Sequence, residues 1–201
     1  EKLTVGLREM LQPNYPEMEI RRIETIGPKV GDELKTSALQ AILIALGLVL
    51  IYITFRFQWR QGIAAIITLL HDVMVVVGIF SIFDKEFTLP VIAALLTVVG
   101  YSLNDTIVIF DRIRENISKF RKRELLPLIN QSVTETLSRT LLTSGTTLMV
   151  VLALVFLGGE IIHDFAFALL VGVLIGTYSS IYVASPTVLW LTKIAPPKTS
   201  D

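Results

Sequence analysis

The sequence contains no cysteine and only two histidines, His71 and His163. Without cysteine the chain cannot form a disulfide, a thiolate metal site or a cysteine nucleophile. A zinc site would have to be completed by carboxylates, which is an uncommon ligand set, so neither a metal nor another cofactor is predicted. An excess of one charge is also absent, because 18 acidic residues balance 18 basic ones. The charge balance therefore gives no indication of a nucleic-acid partner.

The chain begins at Glu1 without a methionine, and no stretch of it resembles a signal peptide. We expect that a further segment precedes it in the natural protein. Residues 1–35 combine leucines at helical spacing with a short candidate strand, Met18–Ile26, which ends before a Gly-Pro pair. So short a segment cannot close a core alone. It is predicted to be the C-terminal part of a small external α+β domain.

What the sequence has in abundance is hydrophobic residues, which make up 52% of the chain. They form five long apolar runs, each close to the ~20 residues that a helix needs to cross ~30 Å of hydrocarbon. A soluble protein would need amphipathic helices to cover so many buried apolar helices. Little of the chain remains that could form them. We therefore predict an all-α membrane protein with a transmembrane bundle over residues 36–191 and five membrane-spanning helices, at about Thr36–Phe55, Gly62–Phe83, Leu89–Phe110, Thr140–Leu157 and Asp164–Leu191.

The connecting segments differ in charge between the two ends of these helices. Only Lys85 occurs at one end, whereas the other end carries most of the basic residues: Arg56, Arg60, Arg112, Arg114, Lys119, Arg121, Lys122, Arg123, Arg139, Lys193 and Lys198. Short cytoplasmic loops are enriched in lysine and arginine. The basic end and the tail 192–201 are therefore predicted to be cytoplasmic and residues 1–35 external, which would require one more span upstream.

The segment 111–138 has the pattern of a cytoplasmic amphipathic region. Ile113, Ile117 and Phe120 fall on one helical face, and a similar face follows Pro127. This pattern predicts two short helices that lie along the membrane surface. The basic run at 119–123 could contact anionic lipid or a partner, although ordinary positive-inside bias explains it equally simply and is preferred.

Charged residues inside the predicted spans are costly, at least ~2.5–3.5 kcal/mol each, and need a reason. Asp105 lies about five residues from the cytoplasmic end of its span, with Tyr101 one turn before it and Asn104 beside it. Arg139 is the arginine nearest to it in depth, with an offset of ~6 Å at 1.5 Å per residue. Proton handling by Asp105 and Arg139 is favoured over a purely structural ion pair.

Two other polar pairs interrupt the apolar runs. His71 and Asp72 lie near the middle of the second span, where a proton-pathway role and simple structural satisfaction are equally well supported. His163 and Asp164 lie at the outer start of the fifth span and are predicted to cap its helix.

The last span carries a stripe of small residues with a period of four. Such a stripe lets another helix approach closely, either within the chain or in a partner subunit. Its members are Gly172, Gly176, Ser180 and Ala184.

The string GYSLNDTIVIFDRIREN at 100–116 resembles the signature of the SecF family of bacterial protein-export proteins. Other stretches agree with it in the expected order: FRFQWR at 55–60, LLHDV at 69–73, TLSRTLLTSGTTLMV at 136–150 and GTYSSIYVASP at 176–186. The resemblance implies a six-span protein, or the SecF half of a SecDF fusion, that lacks here its first span and the start of its external domain. Its bundle would resemble the resistance–nodulation–division superfamily of proton-driven transporters.

The resemblance further implies an accessory of the Sec translocon in the bacterial plasma membrane that uses the proton motive force to draw preproteins outward. Partners would be SecD, the SecYEG translocon, YajC, preproteins in transit and membrane lipids. Within the family, the aspartate of the GYSLND motif and an arginine of the next span are implicated in proton flow, and these positions are Asp105 and Arg139 here. The chain would not be an enzyme.

Three other functions remain open on the sequence. A half-unit of a proton-driven lipid or drug exporter would need a larger external domain. An intramembrane aspartyl protease would need Asp72 and Asp105 to face each other as a dyad, and Arg139 would compete for Asp105. A passive scaffold would tolerate neutral substitutions at Asp105.

Overall fold

The structure, a computed structural model, describes residues 28–56, 59–120 and 124–194. The chain divides into two compact units, residues 1–39 and residues 40–201. The predicted external domain lies mostly outside the described residues, including its candidate strand Met18–Ile26. Residues 28–35, which were assigned to that domain, belong to the first described helix.

The described residues form six α-helices and one π-turn, without a strand. The elements are α1 (Pro28–Arg56), α2 (Trp59–Ile82), α3 (Leu89–Lys119), α4 (Leu125–Leu157), α5 (Glu160–Ser179), the π-turn (Ser180–Ala184) and α6 (Ser185–Ile194).

Four helical segments in the described part of the chain are long and apolar enough to cross a membrane. They are α2, α3, α4 and the continuous stretch Glu160–Ile194, which α5, the π-turn and α6 form together. The apolar part of α1, Leu39–Ile53, is shorter than these. A fifth span at Thr36–Phe55 therefore stays a prediction.

The prediction of two separate surface helices in 111–138 is wrong. Asp111 to Lys119 continue α3, which has 31 residues, and α4 runs without interruption from Leu125 through all 33 of its residues. At 1.5 Å per residue both helices exceed the ~30 Å of the hydrocarbon core, so each extends beyond it at the basic end. Pro127 does not break α4, because it lies in the first turn, where backbone N–H groups have no helical partner.

Two apolar clusters fill the bundle, one at each end. The cluster at the basic end includes Leu69, Ile109 and Phe110, and the cluster at the opposite end includes Phe80 and Leu95. Buried and half-buried polar residues interrupt this apolar interior, and we call the part of the interior that they form the polar layer. It consists of Asp72, Tyr101, Ser102, Asp105, Ser144, Thr177 and Ser179.

Two glycines of the small stripe pack against α3 within the chain. A Cβ atom added to Gly172 would lie 2.1 Å from a methyl group of Val98, and one added to Gly176 would lie 3.0 Å from Cβ of Ser102. The glycines therefore let α5 approach α3 closely, and this approach holds the polar layer together.

The π-turn follows the glycines directly and ends one residue before α6 begins at Ser185. Pro186 explains it, because proline has no N–H to donate to the Tyr182 carbonyl and its ring collides with the carbonyl four residues back. The backbone widens to a π-turn just before such a position, and turns of this kind are frequent at functional sites.

Candidate functional site in the polar layer

The polar layer is built by four helices, each of which contributes between one and three side chains. Asp72 comes from α2 and Ser144 from α4, while α3 supplies Tyr101, Ser102 and Asp105. Thr177 and Ser179 come from the end of α5, immediately before the π-turn. Residues far apart in the sequence thereby form two hydrogen-bonded groups, one around each aspartate.

Asp72 is fully satisfied by its surroundings. Its side chain is 1% exposed. Ser102 and Ser179 donate hydrogen bonds of 2.5 and 2.8 Å to Oδ2, and Nδ1 of His71 lies 3.0 Å from Oδ1. The carboxylate therefore links α2, α3 and α5, and its role in a proton pathway stays a prediction.

Asp105 is buried to nearly the same extent, at 3% exposed, but it has far less contact with polar groups. Only one long hydrogen bond reaches its side chain among the described residues, donated by Ser144 over 3.5 Å. The same Ser144 hydroxyl also accepts from Thr177 at 2.7 Å and from Tyr101 at 3.4 Å. Asp105 thus lies at the end of a chain of hydroxyl groups that can supply or remove a proton.

Arg139 lies near Asp105 without touching it. No hydrogen bond or ion pair joins the two side chains in the described part of the structure, and Arg139 is exposed on the surface of the bundle. Opposite charges attract through space without contact. A modest movement of α4 would therefore change how strongly the cation acts on the acid.

The remaining predicted residue, Asn104, is exposed rather than directed into the polar layer. It lies about 100° around α3 from Asp105, because successive residues of an α-helix are separated by that angle. The structure brings together Tyr101 and Asp105 through Ser144, and it separates Asn104 from them.

Sequence reasoning missed the hydroxyl groups that complete the site. Ser102, Ser144, Thr177 and Ser179 all contact an aspartate directly or through one further hydroxyl. The sequence indicates one of these four hydroxyl groups, because Ser102 lies inside the GYSLND string. The other three resemble ordinary small residues of a membrane helix, whose hydroxyls usually bond to their own backbone.

At the outer end, the predicted cap of the last span is wrong. The helix begins at Glu160, four residues before Asp164, and its N-cap is Gly159. Asp164 instead forms an ion pair of 2.5 Å with Lys85, and Nδ1 of His163 lies 3.4 Å from it. This pair ties the loop before α3 to the start of α5.

At the basic end, the extensions of α3 and α4 are joined by charged and amide side chains. Glu135 of α4 receives hydrogen bonds from Asn116, Gln131 and Arg112, which together hold its pKa at about 2. Arg112 also pairs with Glu115 at 2.6 Å. These contacts explain why the two extensions stay paired beyond the bundle.

No group of three or more potential metal ligands occurs among the described residues. The site therefore consists of acids, hydroxyls and one nearby arginine, which suits proton transfer between oxygen atoms.

Comparison with known proteins gives the family. Residues 7–194 match the model of the family described as protein export membrane protein SecD/SecF, C-terminal. Protein translocase subunit SecF of Desulfurispirillum indicum is 56% identical over 183 residues, which covers 89% of this chain and 58% of that protein. Protein translocase subunit SecDF of Thermus thermophilus is 53% identical over 166 residues, covering 83% of this chain and 23% of the relative.

The fold agrees with a solved structure. The crystal structure of SecDF from Thermus thermophilus, described as a translocon-associated membrane protein, matches with a TM-score of 0.86 and 46% identity, over 96% of this chain and 27% of that one. The chain spans a little over half the length of the SecF relatives named here and about a quarter of SecDF. The chain belongs to the SecD/SecF family of protein-export membrane proteins and corresponds to a SecF subunit or to the SecF half of a SecDF protein.

Proposed function

We propose that the chain is part of an accessory subunit of the Sec translocon that acts with SecD and uses the proton motive force to promote protein translocation across the bacterial plasma membrane. The observation that carries the proposal is the contrast between two buried aspartates. Asp72 has three polar contacts at 3.0 Å or less, whereas Asp105 has one, at 3.5 Å. A buried carboxylate with so little compensation readily accepts a proton.

The hydroxyl chain gives this proton a route. Tyr101 and Thr177 both donate to Ser144, which donates to Asp105. A rotation of the Ser144 hydroxyl lets it donate its hydrogen bond to an acceptor other than Asp105. No helix has to move for this change. His71 and Asp72 are proposed to belong to the same pathway at the next position along the bundle, with Asn104 at its exposed edge.

Arg139 is proposed to sense the charge of Asp105. When Asp105 is charged, the arginine is attracted toward it; when Asp105 is protonated, the attraction is lost. One elementary charge that crosses the membrane potential releases ~2.3 kcal/mol per 100 mV. This free energy is sufficient to shift the populations of two closely spaced conformations, and α4, which carries both Arg139 and Ser144, would move between them.

The family supports the proposed partners, and the distribution of basic residues supports the proposed orientation. SecD, the SecYEG translocon and YajC are the proposed protein partners, and preproteins are the cargo. The basic end is proposed to face the cytoplasm, which places the C-terminus there. A lipid or drug exporter is not favoured, because the relatives named above are translocase subunits. A protease dyad is not favoured either, because Asp72 and Asp105 bind different hydroxyls.

Export of a preprotein into inverted membrane vesicles tests the proposal, with the full-length protein and its partners present. Asp105→Asn should abolish the stimulation of export by a proton gradient while membrane insertion and binding of SecD survive. Arg139→Lys should reduce the stimulation only in part, because lysine keeps the charge but loses the planar guanidinium.

Asp164→Asn is the matched control, since it makes the same chemical change at the outer end of the bundle. It should leave the stimulation close to that of the parent protein. Full gradient-dependent stimulation in Asp105→Asn would show that the carboxylate is structural, and the proposed coupling would be wrong.

A further inference from the structure

A cleft of about 220 Å³ opens at the basic end of the bundle, apart from the polar layer. Gln61, from the first turn of α2, forms one wall. Arg114, Ile117 and Ser118, from the extension of α3, form the other. Residues three and four positions apart share a face of a helix, so the extension presents a cation, an apolar side chain and a hydroxyl to the same space.

Gln61, which lines this cleft, carries an unsatisfied acceptor. Its residue is 6% exposed, and its Nε2 donates to the carbonyl of Phe110 over 3.4 Å. Its Oε1 has no hydrogen-bond partner in the described part of the chain. A buried acceptor without a donor is destabilising, so a ligand that offers an N–H or O–H group would bind favourably here.

The charge beside the cleft is positive and uncompensated. Arg114 donates to the backbone carbonyl of Arg56 over 3.4 Å, and no carboxylate pairs with it among the described residues. Arg60, next to Gln61, is 8% exposed, and within the same described ranges its Nε has no hydrogen-bond partner. Arg112 on the same helix differs, because Glu115 and Glu135 already neutralise it. The cleft therefore favours an anion.

The position of the cleft indicates where such an anion comes from. The apolar sequence of α2 begins at Gly62, directly after Gln61, so the cleft lies at the level where hydrocarbon gives way to water. Trp59 is exposed beside it and stacks under the guanidinium of Arg60, 5.4 Å from the ring centroid. Tryptophan is typical of the headgroup region, and Ile117 offers an apolar wall to the start of an acyl chain.

We propose that this cleft binds the headgroup of a membrane phospholipid that carries both a phosphate and a hydrogen-bond donor, as ethanolamine and glycerol headgroups do. Arg114 and Ser118 hold the phosphate oxygens. A rotation of the Gln61 side chain turns its buried Oε1 atom toward the headgroup, whose ammonium or hydroxyl group then donates to it. Choline has neither N–H nor O–H, so phosphatidylcholine leaves Gln61 unsatisfied and binds more weakly.

The test uses the full-length protein purified with its partners in detergent and exposed to equal amounts of phosphatidylethanolamine, phosphatidylglycerol and phosphatidylcholine. Native mass spectrometry measures the retained lipid. The parent protein should retain the first two in preference to the third. Gln61→Met, which keeps the shape of the side chain, should lower that preference about five-fold, the factor expected from one ordinary hydrogen bond. Arg114→Gln should lower retention of all three lipids.

Lys119→Gln is the matched control, because it removes one cation from the same extension outside the cleft. It should change neither retention nor preference. An equal loss with Lys119→Gln, or equal retention of phosphatidylcholine by the parent protein, would overturn the proposal, since diffuse attraction between charges would then suffice. Should Arg114→Gln fail to fold, Ser118→Val removes a phosphate donor at an exposed position and serves in its place.

Soluble headgroups distinguish a lipid from a free phosphate compound. Inorganic phosphate and glycerophosphoethanolamine should not displace the bound lipid at millimolar concentration, because they lack acyl chains. Displacement by either would assign the cleft to a soluble ligand and overturn the lipid assignment.

Discussion

Ser179 donates a hydrogen bond of 2.8 Å to the carboxylate of Asp72, although 107 residues separate them in the sequence. Ser102 donates to the same oxygen atom. One carboxylate thus fixes α5 against α2 and α3 at the point where α5 gives way to the π-turn.

Replacement of Ser179 by alanine should lower the stability of the bundle. The lost bond has a charged acceptor, which argues for about 1.5–3 kcal/mol, while hydrogen bonds between membrane helices average about 0.6 kcal/mol. We expect a value between these limits in unfolding by SDS. Ser179→Ala and Ser102→Ala should be more than additive in a double-mutant cycle, because either donor partly compensates the shared oxygen when the other is removed. Strict additivity would mean that the two bonds do not share the acceptor.

Substitution at the glycines should follow the space around each of them. Gly172→Ala places Cβ against the stiff side chain of Val98, at 2.1 Å from its nearest methyl group, and overpacking of this kind costs about 1–3 kcal/mol. Gly145→Ala in α4 meets nothing within 4 Å and should stabilise the helix by up to about 1 kcal/mol. Thermal unfolding of both variants in detergent measures the difference. Equal effects would contradict the close approach of α5 to α3.

A bulkier change in the stripe should also affect assembly. Gly176→Leu should force α5 away from Ser102 and weaken pairing with SecD, because the polar layer then loses its geometry. Co-purification with tagged SecD measures this pairing, with Gly145→Leu as the control. Normal pairing and normal thermal stability of Gly176→Leu would remove the stripe from any role in assembly.

The pH dependence of stability should report the network at Glu135. Its pKa is about 2 in the folded chain against 4.5 for the unperturbed group, because of hydrogen bonds from Asn116, Gln131 and Arg112. A depressed pKa adds stability that is fully present above the unperturbed pKa and is lost as pH falls toward the folded value. The parent protein should therefore lose more stability than Glu135→Gln between about pH 5 and pH 3. Parallel curves for the two proteins would exclude this contribution.

Topology can be measured with reporters. A reporter fused after Arg123 should indicate the cytoplasm, and one inserted in the Gly158–Ile162 loop should indicate the outside, because the short segments at the basic end are rich in lysine and arginine. The reverse pattern would overturn the proposed orientation.

The apolar runs and the buried aspartates could be predicted from the sequence because each has an unmistakable signal. A charge inside twenty apolar residues is costly wherever the helix packs, so the sequence alone identifies Asp72 and Asp105. The serines gave no such signal, since a hydroxyl in a helix can bond to its own backbone, as that of Thr143 does with the Arg139 carbonyl at 3.0 Å.

The amphipathic pattern of residues 111–138 was ambiguous for a different reason. An apolar face such as that of Ile113 and Ile129 packs equally well on lipid or on another helix. Both residues are buried in the core cluster at the basic end, which is why the two segments extend the spans. The pairing of Asn116 with Ser132 and Glu135 could not be read from either segment alone.

The π-turn determines which face of the last span points to the interior of the bundle. Small or buried residues recur every four positions from Gly172 through Ser180 and Ala184 to Val188. In a regular α-helix such a series rotates by about 40° at each step, so it would turn away from its neighbours within three or four steps. A π-turn takes up about one additional residue, which rotates the following helix back by about 100°. The proline after it therefore keeps both halves of a 35-residue helix facing the same interior.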